Sequence, residues 1–111
     1  MTDADLQAAI GALQSFIEAA DGWLEEMAVP AAVYGDGAAL IIQQWDAVDH
    51  SGDNPDNLAT LKASIGFCLY QKIAGAGYGA QTSQEQCTLA AAAVLAAVLA
   101  QRGRSTGASP S

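Results

Sequence analysis

Seven apolar residues near the start of the chain recur with spacings of four and three in strict alternation: Leu6, Ile10, Leu13, Ile17, Ala20, Leu24 and Met27. This spacing predicts an α-helix, because it keeps all seven on one helical face. Thr2 is placed to cap the helix and Pro30 to end it. In an alternative interpretation, Asp21-Gly22 ends the helix a turn early and residues 23–27 form a separate turn.

Two further helices are indicated in the middle of the chain. One is expected from Asp36, as its N-cap, to about Val48, although the run 40–42, read alone, also fits a strand. The next begins at Asn54-Pro55, where proline suits a first helical turn, and ends in the glycine-rich stretch 75–79.

A last helix is expected to open with a capping box of Thr82 and Glu85 and to run to about Arg102, with Gly103 as its stop. A chain of 111 residues has room for one domain. The sequence therefore predicts an all-α fold, a compact bundle of about four helices with short connections. This single domain covers 1–104, and a flexible C-terminal tail covers 105–111.

The chain is poor in charged residues, which make up 14% of it, against roughly 25% in an ordinary soluble domain. Two interpretations stay open. Either Gln, Ser, Thr and Asn cover the outside, or part of the surface faces another subunit.

The charge that is present is unevenly spread. The chain has a net charge of −8, and its first half, up to Leu61, contains no Lys or Arg. Such an acidic half repels phosphate backbones, so we expect no direct nucleic-acid binding. It favours a basic partner, or it serves solubility alone. The acidic group expected to meet a partner is Glu18, Asp21, Glu25 and Glu26.

The run from Leu89 to Ala100 is apolar on every face of its helix. Such a helix must be surrounded, either by the rest of the bundle or by another molecule, and three neighbours hardly cover one helix completely. Two adjoining apolar ridges are expected here, and the one that the core does not use is available to a partner. The candidate partner-binding residues are Val94, Leu95, Val98 and Leu99.

Candidate metal and phosphate sites fail on donor number or spacing. His50, the single histidine, lies four residues from Asp46, but a closed metal site needs more nitrogen or sulfur donors. The stretch 75–79 follows a helix rather than a strand and lacks the lysine of a phosphate loop. We expect no catalytic residue, cofactor or metal, and Tyr78 at this turn is a candidate contact residue.

Cys68 and Cys87 lie equally far from the expected turn, so a hairpin would bring them to one level. Packed helix axes are about 8–10 Å apart, whereas a disulfide needs Cα atoms within about 7 Å. We therefore expect two reduced thiols that pack as small apolar groups, unless the helices approach unusually closely. Trp23 and Trp45 are expected in the core, with an interface anchor as the alternative for one of them.

The first residues lack the cationic region of a secretory signal, and the longest apolar run is shorter than the roughly 20 residues that cross a bilayer. We expect a cytoplasmic protein without membrane contact.

Two functions fit these features. The first is a non-enzymatic assembly subunit that packs against itself or another protein, such as a virion or secretion-apparatus component. The alternative is an acidic inhibitor or immunity-type protein that blocks a basic effector such as a nuclease. An accessory subunit of an enzyme is a third hypothesis.

Overall fold

The computed structural model of the chain is all-α, as predicted, and describes residues 2–19, 31–78 and 82–107. Within these ranges there are four α-helices and no strand. The helices are α1 (Asp3–Ala19), α2 (Ala31–Asp46), α3 (Pro55–Ile73) and α4 (Gln84–Gly107), and a short π-helical turn (Ala74–Tyr78) follows α3.

One hydrophobic core joins the four helices. Each helix packs against its neighbours in sequence, and α4 also closes the bundle against α1. The largest fully buried side chains come from all four helices, and they include Leu13, Ile41, Ile42, Ile65, Leu69, Val94, Leu95 and Val98. Ala9, Ala90 and Ala91 are completely buried as well, and such small side chains let helices approach closely.

The second helix departs from its predicted bounds. It begins at Ala31 rather than after Asp36, which is exposed within the helix and does not cap it. Gly37 belongs to the packing, because a Cβ there would lie 3.0 Å from Leu69 Cδ1. The run 40–42 is helical, and Ile41 and Ile42 both face the core. Gly37 therefore marks a close contact of α2 with Leu69 of α3, whereas a Cβ on Gly35 would meet nothing within 4 Å.

The N-terminal caps of α1 and α3 are confirmed. Thr2 Oγ1 accepts a hydrogen bond from the Asp5 backbone N–H at 3.1 Å. Asn54 Oδ1 accepts one from the Asn57 N–H at 2.9 Å, with Pro55 as the first helical residue. Each cap satisfies a backbone donor that lacks a partner within the helix.

The capping box of α4 lies one residue later than predicted. Ser83 Oγ accepts from the Gln86 N–H at 3.1 Å, and Gln86 Oε1 accepts from the Ser83 N–H at 3.1 Å. Both residue pairs have the required spacing of three, and the start of the helix at Gln84 selects the second. The hydroxyl of Thr82 lies instead 3.6 Å from Cys87 Sγ.

The C-terminal end of α4 also lies later than predicted. Gly103 does not stop the helix, which continues to Gly107. Residues 105–107, assigned to the flexible tail, are therefore helical, and 108–111 lie outside the described residues. An exposed glycine inside a helix costs only about 1 kcal/mol relative to alanine, and the contacts of the neighbouring Arg102 hold this end against α1 and α2.

The glycine-rich stretch ends α3, as predicted. The π-helical turn follows Ile73, and Gly77 has φ of +103°, in the region that favours glycine. Trp45 is 8% exposed and belongs to the core, whereas Trp23 lies outside the described residues. Both cysteines are free, with Cys87 buried and Cys68 half-buried. Burial raises the pKa of the Cys87 thiol.

Candidate functional site

Four large apolar side chains of the described residues remain exposed: Val48, Phe67, Leu89 and Leu99. Leu89 is 55% exposed, Phe67 42% and Leu99 41%. Leaving such a side chain in water forgoes up to about 1.5–3 kcal/mol of burial free energy. Three of the four belong to α3 and α4, so the large exposed apolar side chains are concentrated on this helix pair.

The helices α3 and α4 approach each other closely at Gly66 and Thr88. A Cβ on Gly66 would stand 2.5 Å from Thr88 Cα and 2.7 Å from its backbone N, so only glycine fits there. The connection is short and the two residues are equally far from Gly77, so the helices form an antiparallel hairpin.

This crossing fixes which side of the hairpin faces outward. Ile65 and Cys87 precede the two contacting residues and are buried, whereas Phe67 and Leu89 follow them and are exposed. One step along an α-helix turns by about 100°, and in antiparallel helices both steps turn toward the same side. Phe67 and Leu89 therefore lie together on the side of the hairpin that faces away from the core.

An apolar seam continues along this side of α4. Leu89, Ala92, Ala96 and Leu99 are spaced by three, four and three, the alternation that lines a coiled-coil contact. Next to it, Ala59, Ala63 and Phe67 form an exposed row on α3. We call these seven residues the outer face: Ala59, Ala63, Phe67, Leu89, Ala92, Ala96 and Leu99. Only Ala92 is half-buried, and none of the seven is polar.

The predicted partner-binding residues of α4 divide between core and surface. Val94, Leu95 and Val98 are 0–1% exposed, so their assignment to a partner is wrong. They fill the space between α4, α1 and α3, because the ridge that carries them faces the core. Leu99 is exposed and belongs to the outer face.

Phe67 and Leu89 were missed by sequence reasoning. Leu89 lies at the start of the apolar run, and its spacing to Ala92, Ala96 and Leu99 is a signal that the sequence alone contains. Phe67 follows Ala59 and Ala63 at intervals of four. That row becomes visible as a surface only once Gly66 is known to mark the crossing.

The predicted acidic group falls where the structure describes no side chains. Asp21, Glu25 and Glu26 lie outside the described residues, and of Glu18 only the backbone in α1 is described. The same holds for Tyr78, at the end of the π-helical turn. Their assignment as contact residues stays a prediction.

An arginine-centred cluster fastens three helices at one end of the bundle. Arg102 donates from Nη1 and Nη2 to both carboxylate oxygens of Asp46, at 2.9 and 2.8 Å. It also donates from Nε and Nη2 to Asp5 Oδ2, at 3.2 and 3.1 Å. Asp5 is 5% exposed. Its burial raises the pKa of the carboxyl, but the hydrogen bonds from Arg102 and Thr2 outweigh burial and leave that pKa lowered.

Arg102 also lowers the pKa of Asp46, chiefly through its hydrogen bonds. The cluster joins the start of α1, the end of α2 and the end of α4, and neutralises an acidic residue at the negative end of the α2 dipole. Its role is therefore structural.

His50 organises the connection between α2 and α3. Its ring stacks on Trp45 with centroids 4.0 Å apart, Nε2 lies 2.8 Å from the Trp45 carbonyl oxygen, and Nδ1 lies 2.8 Å from Asp53 Oδ2. Both partners only accept hydrogen bonds, so the doubly protonated ring alone satisfies both. The bond to the Trp45 carbonyl and the neighbouring Asp53 carboxylate raise the pKa of His50, against a smaller effect of burial.

A groove of about 610 Å³ lies beside this connection, lined by Val48, Leu61 and polar side chains that include Asp49 and Asn57. His50 has both ring nitrogens engaged and is not free to act as a base or metal ligand there. In the part of the chain that the structure describes, no group of three or more His, Cys, Asp or Glu residues is placed to hold a metal ion.

By length and composition alone, the stretch Gln84–Arg104 of α4 would suffice to span a membrane. A core helix of a soluble protein meets the same criterion, and in this structure one side of α4 packs against α1 and α3. The expected absence of membrane contact stays a prediction.

In comparisons with known proteins, no family model, no curated protein and no solved structure matches this chain.

Proposed function

We propose that this protein is a non-enzymatic assembly subunit that docks its outer face onto a neighbouring protein. The observation that supports the proposal is the outer face itself, an uncharged apolar surface on two adjoining helices. Exposed contiguous apolar patches are typical of protein contact sites.

The bundle buries this surface only in part, because Leu89 is 55% exposed and Phe67 and Leu99 are 42% and 41% exposed. The core side of α4 is complete without it, because Cys87, Val94 and Val98 are fully or almost fully buried. Polar residues at positions 89, 96 and 99 would cost the isolated bundle little stability and would improve its solubility. Apolar residues at these positions become favourable when a partner covers them, because the contact removes them from water.

The size of the outer face suits a weak, reversible contact. Its rows span about 15 Å of α4 and about 12 Å of α3, and two helices about 9 Å apart present roughly 300 Å² over that length. An interface of roughly 600 Å² in total is smaller than that of stable specific complexes.

Size fractionation of a native cell extract, cross-linked before it is diluted, tests the proposal for any partner. The wild-type chain should elute in a complex, and Leu89→Lys should shift it to the position of the free chain. Val48→Lys is the matched control, because Val48 is 42% exposed but lies away from the outer face, and this variant should stay in the complex.

Elution of the wild-type chain as a free monomer would contradict the proposal and return attention to the acidic half and a basic effector. Equal shifts by both variants would show that the outer face is not the contact.

A further inference from the structure

We propose that the partner on the outer face is a second copy of this chain, related by a two-fold axis that runs between the two α4 helices, perpendicular to both, at the level of Val94. The two α4 helices then run antiparallel along their seams. This inference rests on the proposed function, because it names the occupant of the same surface.

The seam on α4 has the same pattern in both chain directions. Leu89 and Leu99 lie five residues on either side of Val94, and Ala92 and Ala96 lie two residues on either side. A two-fold axis at that level places Leu89 opposite Leu99 of the second copy, and Ala92 opposite Ala96 of the second copy. An isologous contact requires such self-complementarity.

The side chains of the seam also have suitable sizes for this arrangement. Alanines at the centre let the two helices approach closely, and leucines at both ends fill the space where helices that cross at an angle diverge. Phe67 lies beside Leu89 and is exposed, so it is placed to cover the leucine pair from α3. Both copies then contribute Phe67, one at each end of the seam.

The charges that flank the seam favour the antiparallel orientation. Glu85 lies nine residues before Val94 and Arg104 ten residues after it, and both side chains are exposed. Arg104 also lines a groove between α4 and α1, so its long side chain reaches the seam from the α1 side. Within the described residues neither forms an ion pair, and Arg104 donates only to Gln101 Oε1, at 3.1 Å. The two-fold axis brings Glu85 level with Arg104 of the second copy, whereas a parallel pair would place like charges together.

Net charge opposes the pairing only weakly at this surface. Each copy carries −8, but of the twelve acidic residues only Glu85 belongs to α4, and Asp56 is the one exposed acidic residue in α3, three residues before Ala59. Added salt screens the general repulsion between two acidic copies, with a Debye length near 10 Å at 0.1 M. Moderate salt should therefore strengthen the association, which is the opposite of the response expected for an acidic protein bound to a basic effector.

Sedimentation analysis of the purified protein tests the orientation. Leu89→Lys with Leu99→Lys in one chain should be monomeric, because the antiparallel pair sets lysine against lysine. Leu89→Lys with Leu99→Glu should pair at least about tenfold more tightly, because each lysine then faces a glutamate of the second copy. Circular dichroism should give the same helicity for both double variants and for wild type.

A positive control uses two different chains. A chain with Leu89→Lys and Leu99→Lys, mixed with a chain carrying Leu89→Glu and Leu99→Glu, should pair in either orientation. If this mixture pairs while the Lys/Glu chain remains as monomeric as the Lys/Lys chain, the antiparallel orientation is wrong and the contact surface stands.

A purified wild-type protein that stays monomeric while the native extract shows a complex would overturn the second copy as occupant and leave the proposed function intact. Monomers in both experiments would contradict both proposals.

Discussion

The outer sides of α1 and α4 differ in chemistry, although both helices bury one side in the same core. The exposed residues of α1 include Gln7, Gly11, Gln14 and Ser15, which suit contact with water. Those of α4 include Leu89, Ala96, Leu99 and Ala100, which do not. The fold constrains only the inner side of each helix, so the composition of the outer side indicates whether water or protein covers it.

The sharpest contrast lies within α4, between Val94 on the inner side and Leu99 on the outer side. Val94→Lys should lower the free energy of unfolding by more than about 4 kcal/mol, because it buries an unpaired charge in the core. Leu99→Lys should lower the free energy of unfolding of the dilute monomer by no more than about 1.5 kcal/mol, because Leu99 is 41% exposed and the lysine stem keeps part of its packing. Urea unfolding measures both, and a large loss from Leu99→Lys would show that the outer face supports the monomer fold.

Two glycine substitutions make the same comparison between a packed and an open helix side, Gly66 in α3 and Gly11 in α1. Gly66→Ala should destabilise by about 2–4 kcal/mol, because the new Cβ would press against the Thr88 backbone and force α3 and α4 apart. Gly11→Ala, on the open side of α1, should stabilise by about 0.5–1 kcal/mol through helix propensity. Thermal unfolding of the two variants checks both signs, and a neutral Gly66→Ala would contradict the close crossing that defines the outer face.

Substitution of Arg102 tests whether its ion pairs stabilise the packing of the ends of α1, α2 and α4. Arg102→Met should destabilise by about 1–3 kcal/mol at neutral pH, because it leaves the buried Asp5 carboxylate without its partner. Arg102→Lys is the matched control, which keeps the charge but not the four hydrogen bonds. It should give an intermediate loss in urea unfolding.

The same cluster predicts an acid dependence of stability. The pKa values of Asp5 and Asp46 are lowered from 3.8 in the folded state, so the unfolded state binds more protons near that pH. Their contribution is present above pH 3.8 and is lost as the pH falls through the folded pKa values. Wild type should therefore lose stability below about pH 4 more steeply than Arg102→Met does. Parallel pH profiles of the two proteins would contradict this account.

The smallest effect on stability is expected from His50, in the connection between α2 and α3. NMR titration should give His50 a pKa above its ordinary 6.5, because the folded state binds the protonated ring more tightly. Its contribution to stability is then complete below pH 6.5 and is lost as the pH rises through the folded pKa. Asp53→Asn should lower the pKa of His50. A wild-type value at or below 6.5 would contradict the paired hydrogen bonds.

The sequence alone predicted the helices well and their ends less well. Helical spacing identified the buried Leu13 and Ile17 of α1 but not the fully buried Ala9. Thr2 and Asn54 were recognisable caps because a side-chain oxygen stood just before each helix. Ser83 and Thr82 offered equally good boxes, and only the position of the first helical turn separates them. The glycines in α2 and at position 103 led to wrong helix ends. Glycine ends α3, but it allows close packing in α2 and simply continues the helix at position 103.

The candidate surface was only half predictable. The apolar run in α4 predicted that part of the helix needs burial beyond the core of the bundle. The sequence did not show which of Val94, Leu95, Val98 and Leu99 face that core. Gly66 decides that direction by setting the crossing of α3 and α4, a contact between residues 22 positions apart. Phe67 carries no local signal that distinguishes it from a core residue.

Light scattering of the purified protein over a concentration series tests the central claim most directly, that a second copy covers the outer face. Between about 10 µM and 1 mM, the weight-average mass of wild type and of the Val48→Lys control should climb from 11.3 kDa toward twice that value. The Leu89→Lys variant should stay at 11.3 kDa with unchanged helicity. A wild-type mass fixed at 11.3 kDa over the whole series would contradict the claim.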